Sequence, residues 1–221
     1  MKDVSISLDQ AANPTTGSDL IKGIAIPLWV IALSMATGDT VADVSRPFTV
    51  TNHGASLIFP GPVNLAGTHW ERTAELHQLD PYLLYAIALV ESSRVAEGRA
   101  SPWPWALNRG GKSIYANSRN EAIEHLKAVI AHGESNIDVG LMQVNYRWHF
   151  GRAGSLSSLI DPVQNVALGA QILSEAIASV PGNLALGVGR YHAWQNKEEA
   201  LQYGNRVLKL SSRLRHQTHQ K

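Results

Sequence analysis

The chain of 221 residues carries 19 Lys and Arg against 18 Asp and Glu, a net charge of +1, so no global field draws it to nucleic acid or to an anionic membrane. Apolar residues make up 44% and charged ones 17%, which excludes general disorder, and the absence of Cys excludes disulfides, thiolate metal sites and cysteine nucleophiles. At about 100–200 residues per domain, the length allows one domain with a sizeable core plus accessory segments.

The first twenty residues are polar, and Lys22 then opens an uncharged stretch from Gly23 to Ala36. It is shorter than the about 20 residues a membrane span needs and fits the apolar core of a secretory signal, with Ser34-Met35-Ala36 as small residues at the cleavage positions. Residues 1–36 are therefore read as a signal or targeting segment and the protein as exported. An uncleaved membrane anchor or a buried helix are the alternatives. Residues 37–66, with Pro47, Pro60, Gly61 and Pro62, read as a linker or extended arm.

From about Gly67 the pattern becomes helical. Asp80-Pro81 is an N-cap followed by Pro at the first helical position, ahead of a helix to about Ser93. Gly110-Gly111 marks a hairpin near Trp105–Asn117, because both glycines can take positive φ. Ser118-x-x-Glu121 is a capping box for an amphipathic helix that Gly133 stops. Asp161-Pro162 repeats the first device for a helix ending before Pro181-Gly182, and Asn196-x-x-Glu199 opens a last helix towards Arg215. Residues 67–215 thus form a mainly α domain with a small β-hairpin insertion, followed by a basic tail at 216–221. Gly187-x-Gly189 lacks the third glycine and preceding strand of a dinucleotide site and reads as helix packing.

Two clusters can carry chemistry. Glu91 shares a helix face with Leu84, Ile87 and Ala88, so its carboxyl is expected to be partly desolvated, which raises its pKa towards that of a general acid working near neutrality. The alternative is a solvated carboxylate at the helix end. Gly140-Leu141-Met142-Gln143-Val144-Asn145 supplies carboxamides, which donate and accept at once and suit sugar hydroxyl and acetamido groups; a turn with backbone-satisfying amides is the plainer reading. No H-E-x-x-H occurs, His125 and His132 read as solvated or packed, and neither metal nor cofactor is expected.

Glu91-Ser92-Ser93, Gly140 to Val144, Asn165 to Leu173, and Arg190-Tyr191-His192-Ala193 resemble, in order, the four motifs of the soluble lytic transglycosylase (SLT) family. The resemblance implies a lysozyme-like (goose-type/SLT) α domain acting on peptidoglycan glycan strands in the periplasm. The bond cut would be the β-1,4 link between N-acetylmuramic acid (MurNAc) and N-acetylglucosamine (GlcNAc), leaving a 1,6-anhydroMurNAc end. By the same resemblance Glu91 is the single catalytic acid/base, and Tyr191 is the tyrosine whose hydroxyl faces it. Ser92, Met142, Gln143 and Asn165 are carried over as substrate-binding residues, and Tyr191 as a half-buried core residue is the alternative. No second acid falls within a motif, which favours a substrate-assisted route. A hydrolytic muramidase of the same fold, or a non-catalytic glycan-binding module of an envelope assembly, are the competing readings.

Two features depart from the common pattern. The connection from Glu91 to Gly140 is long, as in a subgroup associated with conjugation and secretion machines, which makes such a machine a partner class. Within that insert Trp103 and Trp105 either stack on sugar faces or plug the insert onto the core. His192 stands where the motif often has Asn, with Trp194 after it in place of a small residue.

Overall fold

The computed structural model describes residues 63–96 and 99–218, so the expected leader, most of the expected arm and the end of the basic tail lie outside the described residues. Eight helices and six short strands follow in the order α1 (His69–Leu76), α2 (Pro81–Ser92), β1 (Ser93–Ala96), β2 (Arg99–Pro102), β3 (Ala106–Arg109), β4 (Lys112–Tyr115), α3 (Arg119–Ala131), β5 (Ile137–Val139), β6 (Val144–Asn145), α4 (Tyr146–Ala153), α5 (Leu156–Ile160), α6 (Pro162–Ala178), α7 (Leu184–Arg190) and α8 (Lys197–Thr218) among the described residues. The domain is mainly α, with the small antiparallel sheet of a lysozyme-like fold. No described helix is long and apolar enough to cross a membrane.

The caps work as their residues dictate. Asp80 accepts from the Tyr82 N–H, and Asp161 from the N–H groups of Val163 and Gln164, so each Asp-Pro start satisfies donors that the first turn leaves unpaired. Ser118 accepts from the Glu121 N–H, while the Glu121 carboxylate reaches one residue further back than a standard box, to the Asn117 N–H at 2.8 Å. Asn196 accepts from the Glu199 N–H at 3.2 Å and starts α8.

The expected hairpin is β3–β4, closed by Gly110 at φ 54° and Gly111 at φ 86°, the signs a two-residue I′ turn demands. It is larger than one hairpin: β5 pairs with β3 and β6 with β5, giving the order β4-β3-β5-β6, and a separate hairpin β1–β2 follows α2 directly. These strands are two to four residues long, too short to show an alternation in sequence.

Helix α2 is the axis of the core. Leu83, Leu84, Ala86, Ile87, Ala88, Leu89 and Val90 are all buried, so it is apolar all round and covered by α1, α8 and the first hairpin. Helix α7 lies on α8 at backbone contact. A Cβ added to Gly189 would sit 1.8 Å from the Ala200 carbonyl oxygen, and one on Gly204 would sit 1.8 Å from that of Ala185. Gly187 and Gly189 are thus packing glycines, as their spacing suggested.

Candidate active site

Glu91 occupies the last turn of α2, where the apolar helix runs into the face formed by the sheet, the loop 140–143 and α8. Its side chain is 6% exposed. Burial, reinforced by the nearby Asp138 carboxyl, pushes its pKa up to about 7, against the opposing pull of the Tyr203 hydroxyl and the Arg206 guanidinium. A carboxylate at a helix C-terminus also meets the negative end of the helix dipole, which disfavours ionisation further. The solvated alternative is thereby excluded: Glu91 is a buried acid poised near neutrality.

The hydroxyl on this acid belongs to Tyr203, which donates to Glu91 Oε1 at 2.5 Å. Tyr191, carried over by resemblance as the residue facing the carboxyl, donates its hydroxyl to the Met142 carbonyl at 2.6 Å. Burial, and after it the nearby Glu91 charge, raises the pKa of the Tyr191 hydroxyl, whose proton is engaged elsewhere.

The four sequence motifs meet on one loop. Gly140, at φ 79°, packs against the Asn165 side chain, with no room for a Cβ, and its N–H donates to the Ala106 carbonyl at 2.8 Å. The Ser92 hydroxyl lies 2.8 Å from the Leu141 carbonyl and 3.0 Å from that of Ala88, tying the end of α2 to the loop. Asn165 accepts from the Met142 N–H and donates to the carbonyls of Val139 and Leu159, so its carboxamide is engaged at both ends. A Cβ on Gly169 would strike the Met142 side chain at 2.6 Å, so α6 seats that side chain directly.

Ser92, Met142 and Asn165 are 1%, 0% and 0% exposed, so their side chains lie inside the fold and support the loop. Gln143 differs. It is half-buried, held at φ 45°, and its amide nitrogen donates to the carbonyls of Gly140 and Ala106. Positive φ in a residue with a Cβ is strained backbone that the surrounding bonds must hold.

Sequence reasoning missed two groups. Tyr203 lies outside the four motifs and reads as one more member of the α8 stripe with Ala200, Val207, Leu210 and Leu214. Its signal was Gly204 beside it, since close approach of α7 is what presses this part of α8 onto the site. Asp138 alternates with buried Ile137 and Val139 on β5, so it points away from the core side. Burial raises its pKa to about 6 despite a hydrogen bond from Asn145 Nδ2 at 2.8 Å.

The insert tryptophans are half-buried and pack against one another. Arg94 lies over the Trp103 ring, its Cζ 4.5 Å from the centroid, Trp105 meets it edge-on, and Trp103 Nε1 donates to the Ala116 carbonyl. His125 on α3 and His132 just after it are exposed, and no cluster of three or more His, Asp or Glu suited to a metal occurs among the described residues.

The described residues thus form a mainly α, lysozyme-like domain with a buried acid at the end of its central helix. A family model described as Transglycosylase SLT domain matches residues 68–206, and the chain belongs to that family. Its function is accordingly of the glycan-cleaving, transglycosylase type, with peptidoglycan strands as substrate. Comparison with curated proteins and with solved structures gives no match.

Proposed function

We propose that the protein is a peptidoglycan lytic transglycosylase that uses Glu91 first as acid and then as base. Protonated Glu91 donates to the glycosidic oxygen between MurNAc and GlcNAc as the C1–O bond breaks, while the MurNAc 2-acetamido oxygen bonds to C1 as an oxazolinium. The Glu91 carboxylate, steadied by the Tyr203 hydroxyl, then takes the proton of the MurNAc C6 hydroxyl. O6 bonds to C1, the oxazolinium opens, and a 1,6-anhydro ring forms. Glu91 ends protonated, and no water is consumed. Gln143 contacts the muramyl unit, and the support residues keep its loop against the acid. The observation that carries this reading is Glu91, buried and held near a pKa of about 7 with one oxygen hydrogen-bonded to Tyr203.

Because peptidoglycan lies outside the cytoplasm, the protein acts in the periplasm. The long insert spanning β1 to α3 supports service to a conjugation or secretion apparatus that must pass through the wall.

One observation favours a second reading. Asp138, with its pKa raised to about 6, ionises before Glu91 does at about 7, and an acid beside a carboxylate is the pair a hydrolase needs. Mass spectrometry of muropeptides released from purified sacculi separates the two. Transglycosylation gives MurNAc ends one water lighter than reducing ends, abolished by Glu91→Gln and retained by Asp138→Asn. Reducing ends, lost in both variants, would establish the hydrolase instead.

A further inference from the structure

Behind the acid lies a residue for which the proposed reaction has no use. His192 follows α7 and is buried, its side chain 5% exposed. Its imidazole lies flat on the Tyr203 ring, with centroids 4.6 Å apart and planes 3° from parallel. Nδ1 is 3.9 Å from Glu91 Oε1, and Nε2 is 3.7 Å from Glu199 Oε1, so acids on two different helices flank the ring edge at both nitrogens. Glu199 is itself fixed at the start of α8 through its N–H bond to Asn196.

We propose that His192 is a positioning residue for this acid: stacked on Tyr203, it holds the ring where the hydroxyl must donate to Glu91. The inference rests on Glu91 being the acid of the proposed reaction. The Arg206 guanidinium also lies over the Tyr203 ring, its Cζ 5.4 Å from the centroid, but Arg206 stands on the same helix and travels with it. The imidazole is the flat, parallel partner that comes from another element and so fixes the ring against the rest of the site. Without it the ring can tilt about its side-chain bonds, and the hydroxyl lengthens or leaves its bond to Oε1.

Two other roles are excluded by the chemistry of the cluster. A charge role would need imidazolium, but burial and the Arg206 guanidinium push the His192 pKa down to about 4, so the ring is neutral wherever Glu91 titrates. The other ionisable groups facing this cluster are Asp138 on β5, Glu199 and Arg206 on α8, Tyr191 beside it, and Tyr203 itself. A proton relay from Glu199 through the imidazole to Glu91 has the geometry of a chain, but the reaction returns its proton to Glu91 at the end of each cycle and has no need of one.

The test reads the Glu91 titration directly, without substrate, from the carboxyl carbon resonance in protein labelled with 13C-glutamate, assigned by its loss in Glu91→Gln. This separates failure of the inference from failure of the proposed reaction, because the midpoint is defined whatever the product. His192→Leu keeps bulk and removes the flat ring; Tyr203→Phe keeps the ring and removes the hydroxyl; His192→Phe keeps the stack and removes both imidazole nitrogens. Since the Tyr203 bond favours the carboxylate, its loss must move the midpoint up. We expect His192→Leu and Tyr203→Phe each to raise it by about half a pH unit or more. His192→Phe should leave it in place, and the double variant that combines His192→Leu with Tyr203→Phe should go no further than Tyr203→Phe alone. If His192→Leu leaves the midpoint unmoved, if His192→Phe shifts it as Leu does, or if the two effects add, the positioning role is overturned.

Discussion

The chemistry of this site is set by the opposition of two influences on one side chain. Burial, the end of an apolar helix and the Asp138 carboxyl push Glu91 towards its protonated form, and Tyr203 and Arg206 pull it back, leaving the group balanced near pH 7. An acid much weaker than this would be a poor donor to the leaving oxygen, and a much stronger one would already be ionised. The balance fixes the basic limb of the pH profile. Activity on sacculi should fall as pH rises through about 7, where Glu91 loses the proton that the proposed reaction takes from it. The acid side discriminates between mechanisms, because a reaction that runs on Glu91 alone does not need the Asp138 carboxylate, which protonates near 6, and His192 protonates only near 4. A plateau from about pH 6 down to about 5 is therefore expected. A bell with its acid limb near 6 would mean that ionised Asp138 is required and would point to hydrolysis.

At the scale of elements, the site depends on how closely α7 can lie on α8. Gly189 and Gly204 bring the two helices to backbone contact, and the same approach places His192 over Tyr203 and Tyr203 over Glu91. Gly189→Ala sets a Cβ against a carbonyl that cannot move without shifting α8, so it should destabilise by about 3 kcal/mol and remove most activity. Gly133→Ala, at φ 82° in open space after α3, meets only backbone strain of about 1 kcal/mol and should leave turnover intact. Denaturant melts paired with sacculus digestion read both. Equal losses in the two variants would show that packing of α7 on α8 has no special bearing on the site. The starts of α2, α3, α6 and α8 were legible because a cap is a local event, written in one to four consecutive residues. The 140–143 loop was legible as a motif but not as a structure: that Ser92, Asn165 and Tyr191 all serve this loop depends on contacts between distant segments. Tyr203 escaped for the same reason, since a stripe of apolar positions does not show which hydroxyl reaches an acid on another helix.

For the molecule as a whole, an acid kept protonated near neutrality is a cost to folding. Glu91 titrates at 4.5 when exposed and at about 7 in the fold, so the folded chain holds its proton more tightly than the unfolded one. A raised pKa of this kind contributes stability that is fully present below about 4.5 and is lost as pH rises through about 7. Asp138, raised from 3.8 to about 6, acts in the same direction. His192, lowered from 6.5 to about 4, acts in the opposite one: its contribution is present above 6.5 and lost as pH falls through about 4. The fold is therefore squeezed from both sides, and at about pH 8 the penalty falls on the two carboxylates alone among these three groups. Glu91→Gln keeps the shape and the acceptor for Tyr203 while removing the charge that must be buried. It should abolish cleavage yet stabilise the domain at pH 8 by about 2–3 kcal/mol, with the gain shrinking to nearly nothing at about pH 4.5. Urea unfolding of both proteins at the two pH values measures this directly. If Glu91→Gln is no more stable than the parent at about pH 8, the Glu91 carboxyl is at ease as an anion in the fold, and an acid at ease as an anion at that pH has no proton to give a glycosidic oxygen near neutrality.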